Sequence, residues 1–233
     1  MDVIIVAFVL LLIWVIAKPR PMKVGLHCIF LARENVLFLR EWLMYHQALG
    51  VDKFYLYDNT GSQKAGGSQH TSKKLKLGRV NKYNVDYGKI IPWDDEEVDR
   101  KLRSICSEFG NAVVLQKWRP KNANGVQIHG QVKGHKDCLR RYGHEVDWLG
   151  VVDLDEWLYL KRGDLKSYLR DLPRDVSCVR LSQKKMASRF RHLDKKVTEI
   201  THTKNIIERN AWKNMFRPVK THDVQVHSWR GKG

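Results

Sequence analysis

Residues 24–58 read VGLHCIFLARENVLFLREWLMYHQALGVDKFYLYD, and they decide the fold class. The first nine, 24–32, are almost wholly apolar, as a strand covered on both faces must be. Over 34–49, Val36, Leu39, Leu43, His46 and Leu49 return at helical spacing, and Gly50 supplies the stop. Trp42 and His46, four apart on that helix, read as a packed pair rather than as catalysts. Residues 53–58 form the next strand, closed by the turn formers Asn59, Thr60, Gly61 and Ser62. Strand, helix and strand in 35 residues make a βαβ unit. The expected fold is therefore α/β, a mostly parallel twisted sheet flanked by helices.

The alternation continues downstream. Helical spacing recurs at Val98, Leu102, Ile105 and Phe109, and again at Val132, His135, Leu139 and Tyr142. Strand-like stretches lie at 79–83, 112–116, 148–152 and 176–181. Asp164 is placed to cap a short helix that Pro173 ends. Residues 61–78 are rich in Gly, Ser and Lys without periodicity and read as a basic mobile loop. Residues 182–233 are basic and poorly periodic, and the whole of 23–233 reads as a single domain.

Lys plus Arg number 42 against 25 Asp plus Glu, a net charge of +17 in 233 residues. Such a charge attracts nucleic acid, anionic lipid or phosphorylated substrates without choosing among them. A hydrophobic content of 43% excludes wholesale disorder. Four widely spaced cysteines (Cys28, Cys106, Cys138, Cys178) exclude a zinc knuckle and a disulfide-rich scaffold. Residues 3–17, VIIVAFVLLLIWVIA, are apolar throughout. As a helix they would span about 22 Å at 1.5 Å per residue, a short single-pass membrane anchor. Asp2 precedes the run, and Lys18 and Arg20 follow it, the wrong flanks for a cleaved signal peptide. Residues 1–22 are thus read as an N-terminal membrane helix and linker. The flanking charges favour a cytosolic position for the rest, with a lumenal Golgi or ER position left open.

The most informative residues are Asp153-Leu154-Asp155-Glu156, directly after the apolar stretch 148–152. On an extended chain Asp153 and Asp155 project to one side while Leu154 faces the core. Carboxylates at the carboxyl end of a central strand stand where open α/β sheets bind ligands. A divalent ion bridging to phosphate oxygens would relieve their repulsion. A solvated turn explains the same spacing equally well.

Here the sequence resembles a known family. Residues 32–35 (AREN), 39–46 (LREWLMYH) and 49–59 (LGVDKFYLYDN) are similar to the opening of glycosyltransferase family 92. Gln131, Asp137-Cys138-Leu139, Trp148 and 153–158 (DLDEWL) resemble its next block, and 213–218 (KNMFRP) with His227 its closing segment. The resemblance implies a GT-A-like fold, a nucleotide-sugar donor, a divalent cation (Mn²⁺ first, Mg²⁺ second) and inverting transfer of a hexose to a glycan or other hydroxyl acceptor. It implies Asp153, Asp155 and His227 as metal residues, with His222 competing for the last place. Glu34, Asp58, Asn59, Gln131, Asp137, Lys213 and Arg217 fall on the donor side. A base must take the acceptor's proton, and Glu156, Asp194 and Glu199 are unranked candidates. Family members of animals carry a Phe-Gly segment where this chain has Ser188-Arg189-Phe190-Arg191-His192, so the acceptor stays open.

Two other readings compete. The basic stretch 182–196 partly suits a nucleic-acid-binding protein, and its Lys184, Lys185, Arg189 and Arg191 could equally contact phosphate or an anionic acceptor or form a solvated loop. A catalytically silent glycan-binding domain that keeps the fold is the other, against which the intact Asp153 and Asp155 argue; Trp212 and Trp229 could stack on a sugar face, although core or anchoring roles explain them equally well.

Overall fold

The computed structural model describes residues 20–62, 93–186, 203–225 and 228–231, with side chains outside 184–186 and 203–211. Strand β1 (Val24–Phe30) is buried at all seven positions, and β2 (Lys53–Asp58) at five of six. A strand so covered needs pairing on both edges and helices on both faces. β1 obtains the pairing from β2 and from β4 (Trp148–Val151), both parallel to it, and β2 pairs in parallel with β3 (Val113–Lys117). β6 (Thr203–Phe216) then runs antiparallel to β4 and to β5 (Cys178–Met186). The six-stranded order is β3-β2-β1-β4-β6-β5, so the expected strand stretches 53–58, 24–32 and 148–152 become the neighbours β2, β1 and β4. β7 (Thr221–Val224) and β8 (Trp229–Gly231) form a separate antiparallel pair.

The alternation of side chains along β1 and β2 splits the core in two. One face gathers Leu26, Cys28, Phe54 and Leu56 under α2 (Leu39–Leu49) and α3 (Asp95–Glu108). The other gathers Ile29, Tyr55, Tyr57 and Cys138 under α4 (Gln131–Tyr142). Gly134 lets α4 approach so closely, since a Cβ there would lie 2.4 Å from the Ile29 Cδ1. Asp164 caps α5 (Leu165–Arg170) as expected, accepting from Ser167 N at 2.9 Å.

Two readings need correction. The single helix over 34–49 is two, α1 (Ala32–Asn35) and α2, because Asn35 turns its amide back to the Leu31 carbonyl at 2.8 Å. That local bond competes with helix propagation, and the chain turns at Phe38 before resuming. The tail over 182–233 holds the long strand β6 and not merely irregular chain. Its stabilising partners are distant in sequence, so no local period announces it. Among the described residues no helix is long and apolar enough to cross a membrane. The run 3–17, most of the basic loop (63–78) and the expected strand 79–83 lie outside the described residues.

Helix α2 also rivets the chain that leaves β4. The Trp42 Nε1 donates to the Glu156 carbonyl (2.8 Å), and the Tyr45 hydroxyl to that of Leu158 (2.6 Å). His46, packed on Trp42 with ring centroids 4.3 Å apart, accepts the Leu158 N–H at Nε2 (3.1 Å). Its Nδ1–H is left to donate to the Trp42 carbonyl (2.8 Å), which fixes the neutral tautomer. Burial lowers the His46 pKa to about 4, the Trp42 carbonyl offsetting part of that. An unfolded chain binds this proton near 6.5, so the contribution is complete above that value and is lost as pH falls toward 4. Acidic groups titrate in both wild type and His46→Phe and cancel in their difference. The stability advantage of wild type over His46→Phe, from urea unfolding, should therefore shrink by about 3 kcal/mol between about pH 7.5 and about pH 4. A difference that is flat with pH would contradict the assignment.

Candidate active site

β1 hands the chain to β2 and β3 on one side, whereas β4 lies on the other. Their carboxyl ends therefore diverge and leave a crevice, the place where open α/β sheets take ligands. α1, carrying Glu34, follows β1, and the acidic quartet follows β4. The quartet is not an extension of the strand. β4 stops at Val151, and Glu156 N donates to the Asp153 carbonyl at 3.0 Å to close a turn. Projection of Asp153 and Asp155 to one side of a strand is thus not what places them; the turn is. Leu154 is buried at its centre, as expected, and anchors it.

Lys213 completes the turn from β6. The pairing of Val151 with Asn214 sets Lys213 level with the residue just beyond the strand end. Its Nζ reaches Asp153 Oδ2 at 2.7 Å and Glu156 Oε2 at 3.4 Å, and its side chain is only 5% exposed. Glu156 folds back on the turn. Its Oε2 accepts the Asp153 N–H (2.9 Å), and its Oε1 accepts from Gln183. With both oxygens engaged, Glu156 acts as a brace and is poorly free to serve as a base.

The carboxyls share the crevice uneasily. Burial, then the Asp155 charge, raises the Glu34 pKa to about 7. Burial likewise lifts Glu156 to about 7, with Lys213 opposing and Asp153 and Asp155 reinforcing. Asp155 is raised by the protein crowding it and by Asp153, although its side chain reaches solvent. Burial alone would lower the Lys213 ammonium, but the Asp153 and Glu156 charges hold it above its usual range. Negative charge exceeds what one ammonium neutralises.

Asp58 and Asn59 sit beside this crevice at the end of β2, both buried. Asp58 accepts from Thr60 N (3.0 Å) and pairs with Arg119 (3.3 Å), while Thr60 Oγ1 receives the Ala32 N–H (3.1 Å). Asn59 donates to the His129 carbonyl (2.5 Å) and accepts from Gln127 (3.3 Å), fastening that loop to the sheet. A cavity of about 150 Å³ opens here, walled by Arg33, Asp58, Thr60, Asp95, Lys117 and Arg119. Gln127, Gln183 and Arg119 escaped the sequence reading, since their partners lie on other elements and no spacing signals them.

The remaining candidates are dispersed. Gln131 is the half-buried first residue of α4, after Gly130 at φ 57°. Asp137 is taken up by the Tyr57 hydroxyl (2.8 Å), Arg140 (2.8 Å) and Arg141 (3.1 Å). Arg217 donates to the Val176 carbonyl (3.0 Å) and lies 4.4 Å over the Trp148 ring, away from the acidic turn. Trp212 receives Arg180 over its ring, and Trp229 donates to Thr221 Oγ1 (2.7 Å), packing roles in both cases. His222 is on β7, whereas His227, Asp194, Glu199, Arg189 and Arg191, like the side chains of Lys184 and Lys185, lie outside the described residues.

The model of glycosyltransferase family 92 matches residues 90–231, more than half of the chain and inclusive of the acidic turn and Lys213. The chain belongs to glycosyltransferase family 92. The opening block at 32–59 lies outside that match and rests on its own resemblance. A family 92 protein of Arabidopsis thaliana is 28% identical over 122 residues, 52% of this chain and 14% of that protein. One of Ricinus communis is 29% identical over 125 residues, 54% of this chain and 14% of its own length. One of Oryza sativa subsp. japonica is 23% identical over 155 residues, 62% and 19%. The chain thus matches less than a fifth of these relatives' length.

Asp137, with its charge fully engaged, should prove structural. Asp137→Ala should cost about 1.5–3 kcal/mol, read as a melting temperature lower by roughly 3–12 °C. Affinity for a nucleotide sugar, the donor class the resemblance implies, measured by calorimetry below the melting transition, should be unchanged; a lost affinity at intact stability would make Asp137 a ligand-binding residue.

Proposed function

We propose that this chain is a GT-A-like, metal-dependent glycosyltransferase that moves a hexose from a nucleotide sugar to a glycan or other hydroxyl acceptor with inversion. The observation carrying the reading is the gathering of Glu34, Asp153, Asp155 and Glu156 at the carboxyl ends of β1 and β4, in a chain of family 92. The donor's nucleoside is assigned to the Asp58–Arg119 side, where the cavity lies, and its diphosphate to the acidic turn.

The residues fit a hard divalent cation. Among the described residues no three His, Cys, Asp or Glu side chains form a ready metal cage. An ion completed by substrate phosphates does not need one, being held by one or two carboxylates. Beyond burial, Asp155 raises Glu34 and Asp153 raises Asp155, and such an ion would relieve this repulsion. Asp155 and the Asp153 oxygen turned away from Lys213 would hold it, and it would stabilise the departing nucleoside diphosphate. The acceptor hydroxyl attacks the anomeric carbon as the bond to the diphosphate breaks. Its proton passes to a carboxylate, for which Asp194 and Glu199 remain open alongside the braced Glu156. A single-pass anchor over 3–17 completes the proposal, tethering the domain through Arg20, which pairs with Asp147 at 2.6 Å at the opposite pole of the sheet.

Transfer and donor hydrolysis assayed over a panel of nucleotide sugars, with and without Mn²⁺, test the reading. Asp155→Asn keeps the shape and removes the charge, so turnover should fall by about a thousandfold, equivalent to roughly 4 kcal/mol. Its melting temperature should stay within about 2 °C of wild type. Full Mn²⁺-dependent turnover in Asp155→Asn would overturn the mechanism. The anchor has a separate check. The whole chain should partition with membranes and a chain beginning at Lys23 should not; aqueous recovery of both without detergent would remove the anchor.

A further inference from the structure

Lys213 is the only lysine or arginine among the described residues that is buried, and it is aimed into the acidic turn. Its ammonium takes Asp153 Oδ2, an oxygen a divalent cation would otherwise use, and approaches Glu156 Oε2, which already accepts the Asp153 N–H. We propose that Lys213 is a positioning residue that competes with the cation, so that the turn binds metal weakly alone and firmly only when a diphosphate supplies further oxygens. The proposal rests on the transferase reading above.

The argument is one of charge and geometry. With Lys213 present, Asp153, Asp155 and Glu156 carry a partly neutralised charge, and the inner oxygens are occupied by a donor the protein cannot easily withdraw. Withdrawal would leave a buried ammonium without a counter-charge, which is more costly than any exposed pair. A cation arriving alone therefore meets Asp155 and one oxygen of Asp153 and keeps most of its water. A nucleoside diphosphate brings the missing ligands. Lys213 thus couples metal retention to donor arrival, while holding Asp153 and the Glu156 brace in the conformation that presents Asp155.

Mn²⁺ binding, followed by electron paramagnetic resonance on the full chain, reads this without requiring turnover. Lys213→Met frees Asp153 Oδ2 and removes the competing charge, so Mn²⁺ alone should bind at least about tenfold tighter than to wild type. Lys213→Gln should move the same way and, because its amide can still donate to Asp153, it serves if the Met variant does not fold. Lys213→Arg keeps the charge and should stay within about twofold of wild type. Adding a nucleoside diphosphate should tighten Mn²⁺ on wild type by more than it does on Lys213→Met. Folded Met or Gln variants that bind Mn²⁺ no more tightly than wild type would overturn the proposal while leaving the metal site standing. Absence of Mn²⁺ binding in every protein, with or without the diphosphate, would overturn both this proposal and the metal-dependent reading. In wild type, equal Mn²⁺ affinity with and without the diphosphate would overturn the coupling.

Discussion

The parallel pairing of β1 with β2 on one edge and β4 on the other is the constraint from which the rest follows. A strand buried at every position can be satisfied only inside a sheet that helices cover on both sides. Parallel neighbours require crossovers, so α1 and α2 must separate β1 from β2, and all three strands must end at the same pole. The divergence between β1 and β4 then creates the crevice, and whatever follows those two strands is delivered to it. Glu34 and the Asp153–Glu156 turn owe their meeting to that geometry and not to any attraction between them.

Their meeting is in fact repulsive, and the antiparallel strand β6 is what makes it tolerable. It runs antiparallel beside β4 and brings a side chain level with the residue just beyond the end of that strand. Lys213 is that side chain, 60 residues from Asp153 in sequence and 2.7 Å from it in space. Around it Trp42 and Tyr45 donate to the chain that leaves the turn and His46 accepts from it, holding that chain in place. The site is therefore rigid on its protein side and leaves its excess negative charge facing solvent through Asp155. That combination suits a ligand which arrives with a cation.

Part of this was legible in the residues themselves. The central strands, the helix over 131–142, the cap at Asp164 and the packed Trp42–His46 pair all emerge with the expected character. Local chemistry misled where two local signals conflicted. The apolar period across 34–49 favoured one helix, while the amide of Asn35 favoured a turn, and the turn prevailed. The spacing of Asp153 and Asp155 fitted a strand end and a turn equally well, and the structure takes the turn after Val151. Asp137 and Arg217, placed on the donor side by resemblance, meet Tyr57 and Arg141 in the one case and the Val176 carbonyl and Trp148 in the other.

What the sequence determined by itself is the class of fold and the identity of the acidic turn. Period and apolarity are local properties, and a buried parallel strand writes them into consecutive residues. Membership in family 92 likewise resides in short blocks that keep their order along the chain. Only the tertiary structure decided which polar and charged groups meet. Lys213 on Asp153, Arg119 on Asp58 and Gln183 on Glu156 are pairings across strands and loops far apart in sequence. No periodicity can encode them, because they depend on sheet order and register, which are fixed when the chain buries its apolar faces.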